Sequence, residues 1–260
     1  MRGFPVLMYH ALSDAPTSEY YTLARDDFAR QMSTLAELGL YGTSLAGLRE
    51  NAALDTNKAV VLSFDDGHIS NLRIALPILE KFSFSATFFI TTDRIGRSPD
   101  WMSWADAKEL LAAGMDIQAH GHTHAFLNDL SGPLQHEELN EPKRLIEERL
   151  GTKCTGFSFP GGRYDGAALK LARELGYEAL CTSEPGLNSA KTNGQRPMLI
   201  KRFVVHQGLG EQSFRRIVRR ETMPIARANI MYNLKRTVKR ALGNRLYHKV
   251  WSVVFGKRGG

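Results

Sequence analysis

The chain has 260 residues, 43% hydrophobic and 23% charged, which suits one barrel-sized α/β domain with a large core plus an appendage. No stretch of about 18 apolar residues is present, so no membrane span is expected, and two cysteines, Cys154 and Cys181, are too few for a disulfide framework and read as buried free thiols. The net charge of +7 is uneven: residues 215–260 hold thirteen Lys/Arg and one acid, Glu221, which leaves the rest of the chain at −5 and assigns the positive excess to the tail.

Pro5-Val6-Leu7-Met8-Tyr9-His10 reads as a short buried strand ending in a polar residue. Residues 27–38 carry Phe28, Met32, Leu35 and Leu38 at helical spacing, with Gly39 as the stop, and residues 45–51 make a second short helix. Next comes Ala59-Val60-Val61-Leu62-Ser63-Phe64-Asp65-Asp66-Gly67. A mostly apolar run followed by two acids and a glycine predicts a buried strand of a parallel sheet. Its acids then stand at the C-terminal end, where α/β sheets carry their sites.

Two adjacent acids repel and cost desolvation. A metal ion removes that objection, because it takes one carboxylate as a ligand and leaves the other free as a base. The competing reading is an N-cap for a helix over 71–81.

A strand over 82–90, a loop over 91–102 and a helix over 103–113 follow, with Trp101 and Trp104 at the loop end. Trp104 reads as an anchor for that helix, and Trp101 is a candidate wall of a sugar pocket. Gly114-Met115-Asp116-Ile117-Gln118-Ala119-His120-Gly121-His122-Thr123-His124 then places three histidines within five residues. Imidazole and carboxylate ligands suit zinc and its neighbours. His120 and His124 are four apart, so one helical turn would aim both the same way and His122 elsewhere. Further helices are expected over 139–150 and 167–175, and strands over 177–181 and 199–206. Arg202 lies on the last strand, in reach of an anionic partner, and His206 ends it.

Two of these stretches carry a family resemblance. Ser63-Phe64-Asp65-Asp66-Gly67 and His120-Gly121-His122-Thr123-His124 are similar to the paired motifs of the polysaccharide deacetylases (carbohydrate esterase family 4, NodB-like). The resemblance covers about residues 5–210 and implies a distorted (β/α) barrel of about seven strands. By that resemblance Asp66, His120 and His124 hold one divalent metal ion, zinc by preference, and Asp65 is the base. Leu7-Met8-Tyr9-His10 fits the family's Leu-x-x-His motif, in a permuted place on the first strand, and implies His10 as the general acid. His206 is the alternative acid. Pro160 and Gly161 fall in the place of an Arg-x-Pro motif whose backbone helps form the oxyanion site. Ser158 stands there where many members have arginine; either Arg163 compensates from nearby or Asp65 relies on other groups. The family's Asp/Trp motif is not evident, and Leu187 is an alternative apolar wall for a methyl group.

The expected division is a catalytic barrel over 1–212 and a basic amphipathic helical tail over 213–260. In the tail Ile230, Leu234, Val238 and Leu242 repeat every four residues, and Lys235, Arg236, Lys239 and Arg240 fill the other face. Such a helix suits peripheral contact with anionic membrane or simple docking on the barrel. No nucleic-acid motif accompanies the charge. No small-residue cleavage site follows the N-terminal apolar run, so a cytoplasmic location, at most peripheral to the membrane, is expected. The activity implied is metal-dependent hydrolysis of N-acetyl groups from the amino-sugar units of an N-acetylated glycan, with release of acetate. The alternative is a catalytically impaired carbohydrate-binding protein of the same fold, favoured by the missing arginine and Asp/Trp motifs.

Overall fold

The computed structural model describes residues 3–50, 55–189, 198–222 and 230. The first strand, β1 (Val6–Tyr9), is followed by β2 (Ala11–Ser13), which pairs in parallel with β3 (Thr22–Ala24) as a small separate sheet. Helix α1 (Arg25–Glu37), β4 (Tyr41–Thr43) and α2 (Leu45–Glu50) lead to β5 (Ala59–Phe64), which is buried throughout. A π-helical turn, Asn71–Ala75, runs into α3 (Leu76–Lys81), where a single regular helix was expected. Strand β6 (Thr87–Ile90), helix α4 (Trp104–Ala112) and strand β7 (Asp116–Ala119) come next. Ser103 starts α4 as a capping box with Asp106, satisfying two otherwise unpaired donors.

Helix α5 (Gly132–Leu150) starts seven residues before the expected 139, because Pro133 fits the first turn of a helix, and it carries Pro142 inside. Strand β8 (Gly156–Ser158), helix α6 (Gly166–Glu174) and strands β9 (Ala179–Cys181), β10 (Met198–Ile200) and β11 (Phe203–Val204) complete the sheet. The expected strand over 199–206 is thus broken at Lys201-Arg202.

All the sheet pairings between named strands are parallel, in the order β10-β9-β8-β7-β6-β5-β1-β11. Since β10 and β11 are two halves of one extended stretch, the sheet returns on itself as a barrel of seven staves. A further short strand, β4, lies along the first half of β5 on the edge that β6 continues. Parallel neighbours need long crossovers, and these are the helices that coat the outside.

Side chains alternate across each strand, and this separates two cores. Outward residues such as Leu62, Phe64, Phe88, Ile117 and Phe157 pack under the helices with Phe28, Met32 and Leu35 of α1. Tyr9, Phe64 and Phe88 stack in a row there, with centroids 5.1 and 4.8 Å apart. Inward residues fill the barrel: Val6, Val61, Phe89, Cys181 and Ile200. The same inward parity continues along the strands to Ser63 and Asp65, Gln118 and His120, Ser158, and Arg202, all of them buried polar groups. A chain of polar residues inside the barrel is therefore a consequence of period two, and its members must find partners in one another and in nearby backbone groups.

The final described helix, α7 (Glu211–Val218), buries Phe214, Ile217 and Val218. It packs on α1, where Arg215 pairs with Glu37 at 3.0 Å. Arg220 then donates to the carbonyls of Gly3 and Ala59, at the starts of β1 and β5. This end of the chain is thus tied to the base of the barrel, away from the C-terminal strand ends. The amphipathic tail pattern from Ile230 on lies almost wholly outside the described residues, and no described helix is long and apolar enough to cross a membrane.

Candidate active site

The site stands at the C-terminal ends of β1, β5, β7 and β8. Asp65 follows β5 and points into the barrel, 2% exposed. Arg202 meets it in a fork: Nη1 donates to Oδ1 at 2.7 Å and Nη2 to Oδ2 at 2.8 Å. Ser158 donates its hydroxyl to Oδ2 at 3.1 Å and accepts from Arg202 Nη2 at 2.8 Å. Arg202 itself is fully buried, 5.5 Å from the Phe89 ring centre, and its Nε donates to the carbonyl of Thr182 at 3.0 Å. Burial alone would raise the Asp65 carboxyl, but the Arg202 charge, with His120 and His10 nearby, more than reverses this and holds it at about 2. Three donors occupy three of roughly four lone-pair positions. The remaining one, on Oδ1, leaves the acid able to accept a proton.

This fork corrects two expectations. Arg163 is not the substitute for the missing arginine; it pairs with Asp129 at 3.3 Å and lies over Phe126 at 4.0 Å. Arg202 takes that part, from another strand, and so contacts Asp65 inside the barrel rather than an external anion. Inward parity from Ile200 was the signal in the sequence that could have found it.

Asp66 has φ +79°, a left-handed conformation uncommon for a residue with a Cβ. The turn aims its carboxylate at two imidazoles: Oδ1 is 3.5 Å from His120 Nε2 and 3.0 Å from His124 Nε2. Burial would raise this acid too, but His124, His120 and His10 together lower it well below the usual range. His120 Nδ1 is 2.8 Å from the carbonyl of Ser158. A carbonyl only accepts, so that nitrogen carries the hydrogen, and Nε2 presents its lone pair to Asp66. Burial, opposed by the two acids, pushes the His120 imidazole down to about 4, which keeps it neutral.

The ligand-capable atoms of Asp66, His120 and His124 all lie within 4.8 Å of one another. Asp66 Oδ1 is buried without a hydrogen-bond partner among the described residues. A buried carboxylate oxygen without a hydrogen bond, facing imidazole nitrogens, fits a divalent cation of the zinc type, which takes such donors. Arg94 also reaches this oxygen, at 3.3 Å, while lying 4.7 Å over the Trp101 ring.

The two histidines do not share a helical turn as expected. Residues 120–126 form a loop, and His124 reaches the site through a left-handed φ of +69°. Glu138 of α5 holds this loop. Its buried carboxylate accepts from the backbone N–H groups of His122 and Thr123, both at 2.9 Å, and from the Thr123 hydroxyl. His122 points away, with Nδ1 2.9 Å from the Thr92 hydroxyl.

His10 stands at the end of β1, beside the end of β5. Asn71 donates from Nδ2 to its carbonyl at 2.8 Å, and its ring Nδ1 is buried without a hydrogen-bond partner among the described residues. Burial lowers this imidazole, against the opposing pull of Asp65 and Asp66. His206 lies further out, its ring stacked on Tyr20 at 4.4 Å. Pro160 and Gly161 form a short 3-10 turn beyond β8, and Pro160 lies against Gly121 of the histidine loop. Leu187 packs beside Gly3, seven residues ahead of His10 on an extended chain, and so is not a wall of this mouth. Neither Arg202, Glu138 nor Asn71 was assigned its place from the sequence.

Residues 53–180 match the family model described as polysaccharide deacetylase. Over that stretch, just under half of its length, the chain is similar to the polysaccharide deacetylase family. Among its relatives is the Bacillus subtilis (strain 168) protein YxkH, assigned to the polysaccharide deacetylases, at 29% identity over 81% of this chain and 74% of that one. The poly-beta-1,6-N-acetyl-D-glucosamine N-deacetylase of Escherichia coli (strain K12) is 24% identical over 76% of this chain and 36% of its own length. Among solved structures, the Streptococcus pyogenes deacetylase PplD in complex with acetate superposes with a TM-score of 0.73 at 27% identity. That match covers 81% of this chain and 95% of the other. A polysaccharide deacetylase from Bacillus cereus superposes at 0.70, with 26% identity, over 80% of this chain and 66% of that one. These solved structures share the barrel.

Proposed function

We propose that the protein hydrolyses the N-acetyl groups of amino-sugar units in a glycan, releasing acetate and leaving a free amine. One observation carries the reading. A carboxylate and two imidazoles converge within 4.8 Å, next to a second carboxylate kept ionised by a buried arginine. Asp66, His120 and His124 are the residues to hold a divalent ion. Such an ion, when bound, supplies acidification of water and polarisation of the amide carbonyl.

Asp65 takes the proton from the attacking water. Its pairing with Arg202 keeps it ionised in a buried place, and an acid this strong holds the proton only in passing. A backbone N–H near Pro160-Gly161 is the oxyanion donor that the family resemblance implies; Pro160 has none, and those of Gly162 and Arg163 are given to carbonyls, which leaves that of Gly161. His10 gives a proton to the nitrogen as the C–N bond breaks, since an amide anion is a very poor leaving group. Asn71 fixes the His10 backbone for that task.

The rival reading, a binding protein without turnover, drew on the missing arginine and Asp/Trp motifs. Arg202 supplies the same charge to the same acid, which answers the missing arginine and leaves the missing Asp/Trp motif as the rival's remaining support. The test is acetate release from N-acetylglucosamine oligomers, with and without a chelator. Chelator-sensitive release is the expected result; saccharide binding with no acetate released under any metal would overturn the reading in favour of the rival.

A further inference from the structure

The mouth of the barrel carries aromatic side chains that the reaction described above does not use. Tyr20 and Tyr21 occupy the turn just before β3 and are 49% and 52% exposed. Tyr21 lies 4.6 Å from the His10 ring, Tyr20 meets Tyr21 edge-on at 4.9 Å, and Tyr20 stacks on His206 at 4.4 Å with 12° between planes. The rings form a continuous strip leading from His10 outward. The strip is fixed, because Gln207 donates its N–H to the carbonyl of Tyr20 at 3.2 Å. Large aromatic side chains left half in solvent contribute little to a core, and an exposed cluster of them marks a contact surface. Tyrosine suits a partner that offers both apolar faces and hydroxyls, since its ring is apolar and its tip polar. A pyranose has that character: axial C–H groups on its faces and hydroxyls around its rim.

We propose that Tyr20, Tyr21 and the His206 ring form a stacking platform for the sugar unit adjacent to the one being deacetylated, on the His10 side of the site. The proposal rests on the deacetylase reading and extends it to substrate length: the protein acts on a chain, and the platform holds the neighbouring unit. His206, the alternative acid, thereby gains a binding part instead. Among the other exposed large apolar side chains, Leu199 lies on the barrel wall and serves as a comparison.

The experiment uses the full chain loaded with zinc. Steady-state acetate release is measured on a pentamer of β-1,6-linked N-acetyl-D-glucosamine, the linkage in the name of the E. coli relative, and on the monosaccharide. Tyr20→Ala with Tyr21→Ala should raise KM for the pentamer about tenfold or more, the usual scale for losing an aromatic anchor, with kcat changed far less. Tyr20→Phe with Tyr21→Phe should raise the pentamer KM much less than the alanine pair does, because the rings that stack are kept and only the hydroxyls are lost. Leu199→Ala should match wild type. Tyr20→Ala alone, the change further from His10, should show part of the same KM effect. An unchanged pentamer KM in both alanine variants overturns the platform, as does a fall in kcat that is equal for pentamer and monosaccharide. If the wild-type protein releases no acetate from either sugar, the deacetylase reading falls separately. Calorimetric titration with the same pentamer then decides the platform: tenfold weaker binding of the double alanine variant sustains it, and equal binding removes it.

Discussion

Asp65 and Asp66 are neighbours in sequence with opposite surroundings. Asp65 faces a buried guanidinium fork, and Asp66 faces imidazoles. An Asp65→Asn variant should therefore keep bound metal, by elemental analysis, yet lose about 10²-fold or more in turnover, the scale of general-base catalysis. Retained turnover would remove Asp65 from the reaction. The acid is decided the same way. Burial lowers the His10 imidazole, but it faces both carboxylates of the site, whereas His206 lies against Tyr20. His10→Ala should lose activity on an N-acetyl sugar while sparing an activated acetate ester, whose leaving group departs without a proton. His206→Ala should keep its turnover number on both. The reverse pattern would return the role to His206.

At the scale of elements, the loop after β7 shows how the barrel borrows precision from a helix. Three histidines in five residues do not sort themselves, and the loop has no regular hydrogen bonds to do it. Glu138, one turn and a half into α5, captures two backbone N–H groups and a hydroxyl of the loop, so that His124 turns inward and His122 outward. His124→Ala should empty the metal site, and His122→Ala should leave it full. Glu138→Ala should weaken metal affinity about 10–100-fold, the usual cost of losing such support. Metal content after dialysis against graded chelator measures all three; equal retention in the His124 and His122 variants would contradict the sorting. The π-helical turn after β5 is the second such device, since it delivers Asn71 to the carbonyl of His10.

Across the whole molecule, the Arg202–Asp65 pair joins the stave that closes the barrel to β5 at its centre. Both groups are buried, so removing one leaves an unpaired charge, a loss of about 3–5 kcal/mol. The pH dependence follows from Asp65 being held at about 2, below its ordinary 3.8. As pH falls below about 4 the unfolded chain takes up the proton first, so the contribution is complete above that pH and is lost as pH falls through about 2. Linkage puts it on the order of 2 kcal/mol. In Arg202→Met burial acts unopposed by the guanidinium. Stability should then be lower throughout, and its decline should lie at higher pH than in wild type. Denaturant unfolding at a series of pH values measures both curves, and superposable curves would contradict the pairing.

The sequence by itself determined the elements and the chemistry that sits at strand ends. Apolar runs mark β1, β5 and β7, and the polar residues just after them, His10, Asp65, Asp66 and His120, must emerge on one side of a parallel sheet. These signals are local: hydrophobic period, a glycine after the acids, histidines crowded in one loop. What the tertiary structure alone decided is which distant residues complete the site. Arg202 stands 137 positions from Asp65, and only the closure of the barrel, with the strand parity inherited from Ile200, brings them together. Ser158, apparently the sign of a missing arginine, is a member of that same fork. Leu187, legible as an apolar wall, lies by Gly3 instead, because residue type does not state which end of a barrel a turn will reach. Left-handed φ values at Asp66 and His124 were likewise beyond propensity. Such conformations cost free energy locally, and they persist because the surrounding barrel over-determines them.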